Sequence, residues 1–398
     1  MSLAPSKTAL TYSLSLFFER ASFWGIRSLF FIFFMENAPE MTTGAMQTII
    51  LYLGIGLAFT GVLGGLIGDL ALGNRKTMLL GALLSVVGTS ILSLMSPDYF
   101  MIGLGILVLG SGFFGPNLRA NFGKTYLDRI SKMDAGFSFM HFAMYSGGFV
   151  GTALTNMIAN AWSTQHGFIF AAFLGVLAFV ALLFSKELKV DDPVGSEKKE
   201  NHLPSILVVT LMLVVFWGVY EISNVRISEI AYSIQADLSL PVGIDLLFSM
   251  GSIAPWFFLL LGFVIWSYVN LSSFIKILLG FIFGAIALPL LYFIPPQAGA
   301  QHALLFVGGV TLIGLAEALI SPSVHSIITE LSRPKFLAIA FGLLFLAVEV
   351  FVILIRALSA FLELNTLLAL EIGMGGMFIF GYWYFQILKG PDSSSSKS

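Results

Sequence analysis

Residues 274–294 read FIKILLGFIFGAIALPLLYFI, and Lys276 is the only charged side chain in this run. An α-helix needs about 20 mostly apolar residues to cross about 30 Å of hydrocarbon, so the run predicts a transmembrane helix. Further apolar runs, separated by glycine, proline and charged residues, predict eleven more helices. Counting the run at 274–294, the predicted helices span residues 10–35, 46–70, 77–96, 99–123, 136–160, 167–186, 204–233, 243–269, 274–294, 303–330, 335–362 and 365–388.

Composition points to the same class of protein. Of 398 residues, 57% are hydrophobic and 11% charged, with a mean hydropathy of +0.93, whereas soluble domains carry about 25% charged residues. The net charge of −2 argues against a nucleic-acid partner. The chain has no cysteine, and its sequence shows no metal-ligand cluster, nucleophile elbow or phosphate loop. We therefore expect an all-α integral membrane protein that is not an enzyme and needs no metal or cofactor.

The most polar internal stretch divides the predicted helices into two sets of six. It reads KELKVDDPVGSEKKENH at residues 186–202. We predict an N-terminal six-helix bundle over residues 1–186, a linker over 187–203, a C-terminal six-helix bundle over 204–389 and a disordered tail over 390–398. The first apolar run is longer than a signal-peptide core, so we expect it to be a retained helix.

The distribution of lysine and arginine predicts the orientation. Five of the twenty lie in the interior of predicted helices, and the other fifteen lie in loops or at helix ends on one side of the membrane in this topology. Cytoplasmic loops carry the excess of lysine and arginine, so both termini and the linker are predicted to be cytoplasmic. The chain would then be a multi-pass protein of the cell inner membrane.

Several charged residues fall inside the predicted helices. A charge at the centre of a membrane helix costs about 2.5–3.5 kcal/mol, so such residues usually mark functional cavities or proton paths. Helices 1, 4, 7 and 10 carry most of them, which fits repeated three-helix units whose equivalent helices surround one central cavity. Helices 4 and 10 also contain Pro116 and Pro322. The intramembrane charges are Glu19, Arg20, Arg27, Arg119, Glu221, Arg226, Glu317, Glu349 and Arg356.

The alternative is that some of these charges only hold helices together. Glu349 and Arg356 lie seven residues apart on one helix face, and a structural pair is as good an interpretation as a transport role. Arg226 and Glu229, three residues apart, predict another local pair. For Glu19, Arg27, Glu221 and Glu317 we favour a functional role.

One motif resembles a large superfamily of membrane proteins. GGLIGDLALGNRKT at residues 64–77 resembles the loop signature of the major facilitator superfamily, with Asp69 and Arg75 in the positions of its charged residues. An acid at the end of one helix and a base before the next can lock two halves in one access state. The resemblance implies a gating role for Asp69 and Arg75 and a fold of two six-helix bundles.

Four other motifs resemble the proton-coupled oligopeptide transporter (POT) family, in the order and the helices that this family uses. They are ERASFWGIRSLF at residues 19–30, GSGFFGPNLRANFG at 110–123, FWGVYEIS at 216–223 and GLAEALISPSVHSI at 314–327. The resemblance implies a proton-coupling set of Glu19, Arg20 and Glu317. It implies substrate contacts from Arg27, Glu317, Glu221, Tyr145 and Trp217, and a gate formed by Arg27 and Glu221.

This sequence also departs from the family pattern. Leu16 replaces an acid of helix 1, and Gly115 replaces the helix 4 lysine that would interact with it. Arg119 lies one turn after Gly115 on the same helix face, where it can restore the missing cation as a gating partner of Glu317 or Glu19.

We therefore expect a monomeric secondary active transporter that carries small peptides or peptide-like solutes with protons by alternating access. The alternative is a divergent importer or exporter of another zwitterionic or carboxylated metabolite. A receptor that binds peptide without moving it is a third possibility.

Overall fold

The computed structural model describes residues 5–37, 42–188, 202–238 and 246–389. Most of the predicted linker and all of the predicted tail lie outside these residues. The described chain forms twelve α-helices and no β-strand, so the predicted all-α class is confirmed. The helices are α1 (Lys7–Asn37), α2 (Thr43–Ile67), α3 (Asn74–Leu92), α4 (Pro97–Lys124), α5 (Met133–Ala161), α6 (Thr164–Leu183), α7 (Leu203–Asp237), α8 (Leu246–Trp266), α9 (Ser273–Tyr292), α10 (Ala303–Leu331), α11 (Leu337–Phe361) and α12 (Thr366–Lys389).

Within the described ranges, nine helical segments are long and apolar enough to cross a membrane. They contain α2, α3, α4, α6, α7, α9, α10, α11 and α12. The charged residues Glu19, Arg20 and Arg27 interrupt the apolar character of α1, and α5 is rich in glycine, serine and asparagine. In α8, the apolar helical part covers Ile253–Trp266. The least apolar helices thus include α1, which carries more of the candidate functional residues than any other helix.

The helices form two compact units. The first contains Met1–His202 and Ile328–Glu349, and the second contains Leu203–Ile327 and Val350–Ser398. The end of α10 and the first half of α11 thus group with the N-terminal helices. The division into functional halves at residues 187–203 stays a prediction.

In the first unit, α1 packs against α5 and α6, while α4 packs against α2 and α3. Glycines allow the closest approach of α3 and α4, because a β-carbon on Gly81 would lie 2.6 Å from the Gly110 carbonyl oxygen. Aromatic side chains fill the end of α1, where the Phe33 and Phe100 rings stack with centroids 4.5 Å apart. In the second unit, α12 packs against α7 and α9. Such close backbone contact leaves no room for a larger side chain at Gly81.

Candidate functional site

Glu19 lies in the middle of α1 and is only 3% exposed. Arg20 donates to both carboxylate oxygens of Glu19, with Nε 2.5 Å from Oε2 and Nη2 2.7 Å from Oε1. Ser111 on α4 donates its hydroxyl to Oε1 at 3.2 Å. A buried carboxylate needs such a paired and hydrogen-bonded setting. The arrangement holds Glu19 as a partnered ionisable group inside the bundle, which suits a group that takes up and releases a proton.

Arg119 on α4 is also buried, at 6% exposed. Its side chain folds back along its own helix, and Nη1 donates to the Gly115 carbonyl oxygen at 3.1 Å. The guanidinium lies over the Phe345 ring at 4.4 Å, and Nη2 is 3.8 Å from the Met144 sulfur. A β-carbon on Gly115 would lie 3.2 Å from Nη1, so the glycine leaves the space that the guanidinium uses.

Among the described residues of its own unit, no carboxylate is within ion-pair distance of Arg119, since Glu19 pairs with Arg20. The Nε group of Arg119 is buried and has no hydrogen-bond partner in the described part of the chain. The helix 4 cation that the sequence predicted is therefore held at Gly115 by a carbonyl oxygen and an aromatic ring. The gating role of Arg119 stays a prediction.

Asp69, at the end of the α2 segment, faces the beginning of α11. Its Oδ2 atom accepts the main-chain N–H of Ile339 at 2.8 Å, and Oδ1 accepts from the Asn74 amide at 2.9 Å. A carboxylate at a helix N-terminus interacts favourably with the helix dipole. Asn74 in turn accepts from the Lys124 ammonium at 2.6 Å and donates to Asn117 at 2.9 Å. The carboxylate of Asp69 is thus linked through an amide to a lysine at the end of α4.

Arg75, the predicted partner of Asp69 in gating, contacts a different part of the first unit. Its Nε donates to the Ser185 carbonyl oxygen at 2.9 Å, and Nη2 donates to that of Leu183 at 3.2 Å. Its main-chain N–H donates to Glu187 at 2.8 Å. Arg75 therefore satisfies the carbonyl groups at the end of α6, and the gating roles of Asp69 and Arg75 remain predictions.

The candidate residues of the second unit lie on α7, α10 and α11. Glu317 on α10 is buried, at 5% exposed. The Nε group of Arg356 donates to Glu221 Oε1 at 2.5 Å, joining α11 to α7. Trp217 is half-buried on α7 and packs edge-on against Tyr220, with ring centroids 5.5 Å apart.

Arg226 and Glu229 form the local ion pair that their spacing predicted. The Nη1 atom of Arg226 lies 3.3 Å from Glu229 Oε2. Arg226 is buried, and its Nη2 atom also donates to the Ile294 carbonyl oxygen at 2.6 Å. The pair is thus part of the contact between α7 and the end of α9.

Two other predicted residues lie in the first unit. The Arg27 guanidinium lies over the Trp24 ring at 4.6 Å on α1, and Tyr145 is half-buried on α5. The predicted gate between Arg27 and Glu221 joins residues of different units and stays a prediction, as do the substrate contacts. Among the residues that the structure describes, no group of histidine, aspartate and glutamate could hold a metal ion.

The sequence analysis missed Ser111, Asn74, Asn117 and Lys124. Asn117 in the middle of an apolar helix was a usable signal, because a buried amide needs hydrogen-bond partners. No comparable signal marks the partners themselves, since Asn117 and Asn74 are 43 residues apart.

Twelve helices, nine of them in described segments long and apolar enough to cross a membrane, and a largely buried ion pair between Glu19 and Arg20 indicate a multi-pass membrane protein of the transporter class. The profile of the Major Facilitator Superfamily matches residues 12–355, and the chain belongs to this superfamily. It is therefore a membrane transporter of that fold.

Comparison with known proteins also agrees with the resemblance to peptide transporters. A relative named dipeptide and tripeptide permease B, from Aliivibrio fischeri (strain MJ11), is 25% identical over 181 residues. This match covers 45% of the chain and 36% of the relative, so the chain spans little more than a third of that protein's length. The similarity to peptide permeases that the four motifs predicted is confirmed at this low identity.

Solved structures agree on the fold alone. The crystal structure of the human organic anion transporter MFSD10 (TETRAN) superposes with a TM-score of 0.76 at 12% identity, covering 96% of this chain and 100% of that one. A POT family transporter in complex with a thioalcohol conjugated peptide gives 0.67 at 18% identity, with 96% of each chain covered.

Proposed function

We propose that this protein is a proton-coupled symporter that carries small peptides or peptide-like solutes across the cell inner membrane by alternating access. The observation that supports it most directly is the Glu19 carboxylate, which is buried in α1 and held by Arg20 and Ser111. Ionisable groups inside transporter bundles commonly serve as proton relays. The name of the permease relative supports the peptide class of substrate.

In this proposal the substrate is a zwitterion that needs a cation and an anion. Arg27 on α1 would bind the carboxylate, while the buried Glu317 on α10 would bind the amino group. Glu221, Tyr145 and Trp217 would complete the substrate site. Both termini and the linker would be cytoplasmic, and the transporter would act as a monomer.

The test is uptake into proteoliposomes with an imposed inward proton gradient, screened over dipeptides, tripeptides, amino acids and dicarboxylates. We expect accumulation of a peptide that collapses when a protonophore removes the gradient. Glu19→Gln should abolish accumulation but retain exchange of labelled for unlabelled substrate. Glu36→Gln is the matched control, because Glu36 is an exposed acid on the same helix. Undiminished gradient-driven uptake by Glu19→Gln would rule out the coupling role.

A second candidate substrate class is supported by Arg119. A buried guanidinium without a carboxylate partner among the described residues of its own unit suits an anionic solute, so a carboxylated metabolite is the alternative. In the same screen, this alternative predicts uptake of dicarboxylates in preference to dipeptides. Arg119→Met would then abolish dicarboxylate uptake, because it removes the cation that binds the substrate.

A further inference from the structure

A small cavity in the first unit lies beside the Glu19 carboxylate. Its volume is about 10 Å³, and α1, α3, α4 and α6 surround it. A space of this size holds about one water molecule, provided that two to four polar groups can bind it. Small residues, Ala82 on α3 and Gly175 on α6, leave the room.

Three polar side chains line the cavity. Besides Glu19 they are Ser22, one turn further along α1, and Ser85 on α3. Ser85 is 6% exposed, and its buried hydroxyl oxygen has no hydrogen-bond partner among the described residues. A buried hydroxyl without a partner is energetically unfavourable. The cavity therefore meets the polar requirement for one water.

The carboxylate itself has an acceptor position to spare. A carboxylate offers about four acceptor positions. Arg20 uses two of them and Ser111 uses one, leaving one free on the Oε2 atom of Glu19.

Protonation changes which hydrogen-bond partners Glu19 needs. The neutral carboxylic acid has an O–H group that must donate a hydrogen bond. Arg20, which holds both carboxylate oxygens, has only donors and cannot accept it. The Ser111 hydroxyl can accept it at Oε1, and a water in the cavity that Glu19 lines would be a second acceptor.

We propose that the cavity binds one water molecule between Glu19, Ser22 and Ser85, and that this water accepts the hydrogen bond of protonated Glu19. The proposal rests on the proposed coupling role of Glu19. The water can donate to the spare acceptor position of the carboxylate and can accept from the neutral acid, so it serves Glu19 in both protonation states. Loss of the water therefore changes the balance between the two states and, with it, the proton concentration at which transport is half-maximal.

The charged surroundings of Glu19 are limited. Arg20 lies on the same helix, Arg119 lies on α4, and His141 on α5 interacts electrostatically with Arg119. The residues of α3 and α6 that line the cavity are uncharged. Substitutions of these cavity residues therefore alter the binding of the water without changing a charge near Glu19.

Two such variants remove the water by different means. Ser85→Ala removes a hydroxyl that binds it. Gly175→Ala fills the space, because the new β-carbon would lie 3.3 Å from the Ser22 hydroxyl oxygen. The controls are Ser90→Ala, an exposed serine on the same helix as Ser85, and Gly105→Ala, whose β-carbon would meet nothing within 4 Å.

The first measurement is gradient-driven uptake of radiolabelled dialanine as a function of external pH, normalised to counterflow exchange. We expect both cavity variants to move the half-maximal pH in the same direction by about 0.5–1 unit, the equivalent of one hydrogen bond. Both controls should keep the wild-type profile. Wild-type profiles in both cavity variants, together with loss of accumulation in Glu19→Gln, would overturn the water site while the coupling role stands.

The second measurement detects the water directly in the wild-type protein. Radiolytic hydroxyl labelling marks side chains beside bound buried water, and Phe23 lines the cavity. We expect labelling of Phe23 in the wild type and its loss in Gly175→Ala. If dialanine is not taken up, or if Glu19→Gln still accumulates it, the proposed function fails. In that case the labelling result alone tests whether the cavity binds a water molecule. An unlabelled Phe23 in the wild type overturns the site.

Discussion

Replacing Asn117 by alanine tests the polar network behind Asp69. Asn117 is completely buried in α4, and its amide makes three hydrogen bonds. It donates to the carbonyl oxygens of Gly64 at 2.8 Å and Phe113 at 2.9 Å, and it accepts from Asn74 at 2.9 Å. At about 0.6–1 kcal/mol for each bond, Asn117→Ala should lower the free energy of unfolding by about 2–3 kcal/mol.

Asn121 provides a matched control one turn later on the same helix. It is equally buried, but neither of its amide atoms has a hydrogen-bond partner among the residues that the structure describes. Asn121→Ala removes no bond and should cost less than about 1 kcal/mol. The assay is unfolding of the detergent-solubilised transporter by denaturant titration, with intrinsic tryptophan fluorescence as the readout. A difference of about 2 kcal/mol corresponds to about 30-fold in the unfolding equilibrium constant. Equal destabilisation by the two variants would refute the reasoning.

Three further predictions concern topology, helix packing and the contact of Asp69 with α11. A single cysteine introduced between residues 187 and 203 of this cysteine-free chain should react with an impermeant maleimide only from the cytoplasmic side, and external labelling would contradict the orientation. Gly81→Ala should destabilise the fold by about 1–3 kcal/mol through overpacking, whereas Gly105→Ala should not; equal melting temperatures would contradict the close packing. Asp69→Asn should cost about 1 kcal/mol of stability through the helix dipole. The exposed control Asp128→Asn should cost nothing measurable, and a similar loss in both would show that the contact with α11 is not stabilising.

The sequence was informative where the governing interaction is local. The pair Arg226 and Glu229 followed from a spacing of three residues, and Arg119 was placed near Gly115 from a spacing of one helical turn. Each of these contacts lies within a single helix, whose geometry is known before any tertiary contact is.

The same local spacing could not predict partners that lie on other helices. Glu221 binds Arg356, 135 residues away, and Asp69 binds the N–H of Ile339, 270 residues away. No periodic pattern in the sequence marks either contact. The loop motif suggested Arg75 as the gating partner of Asp69, but Arg75 contacts the end of α6.

By itself, the sequence determined the class and the helix count, because a bilayer accepts only long apolar segments whose backbone groups are satisfied internally. It also identified Glu19 as a charge that the membrane interior would not tolerate without partners. Only the tertiary structure decided what surrounds that charge. Ser111 is 92 residues away, and the cavity is completed by Ser85 and Gly175 from two other helices. Whether a gap the size of one water molecule remains depends on side-chain packing across four helices, and no local pattern encodes that geometry.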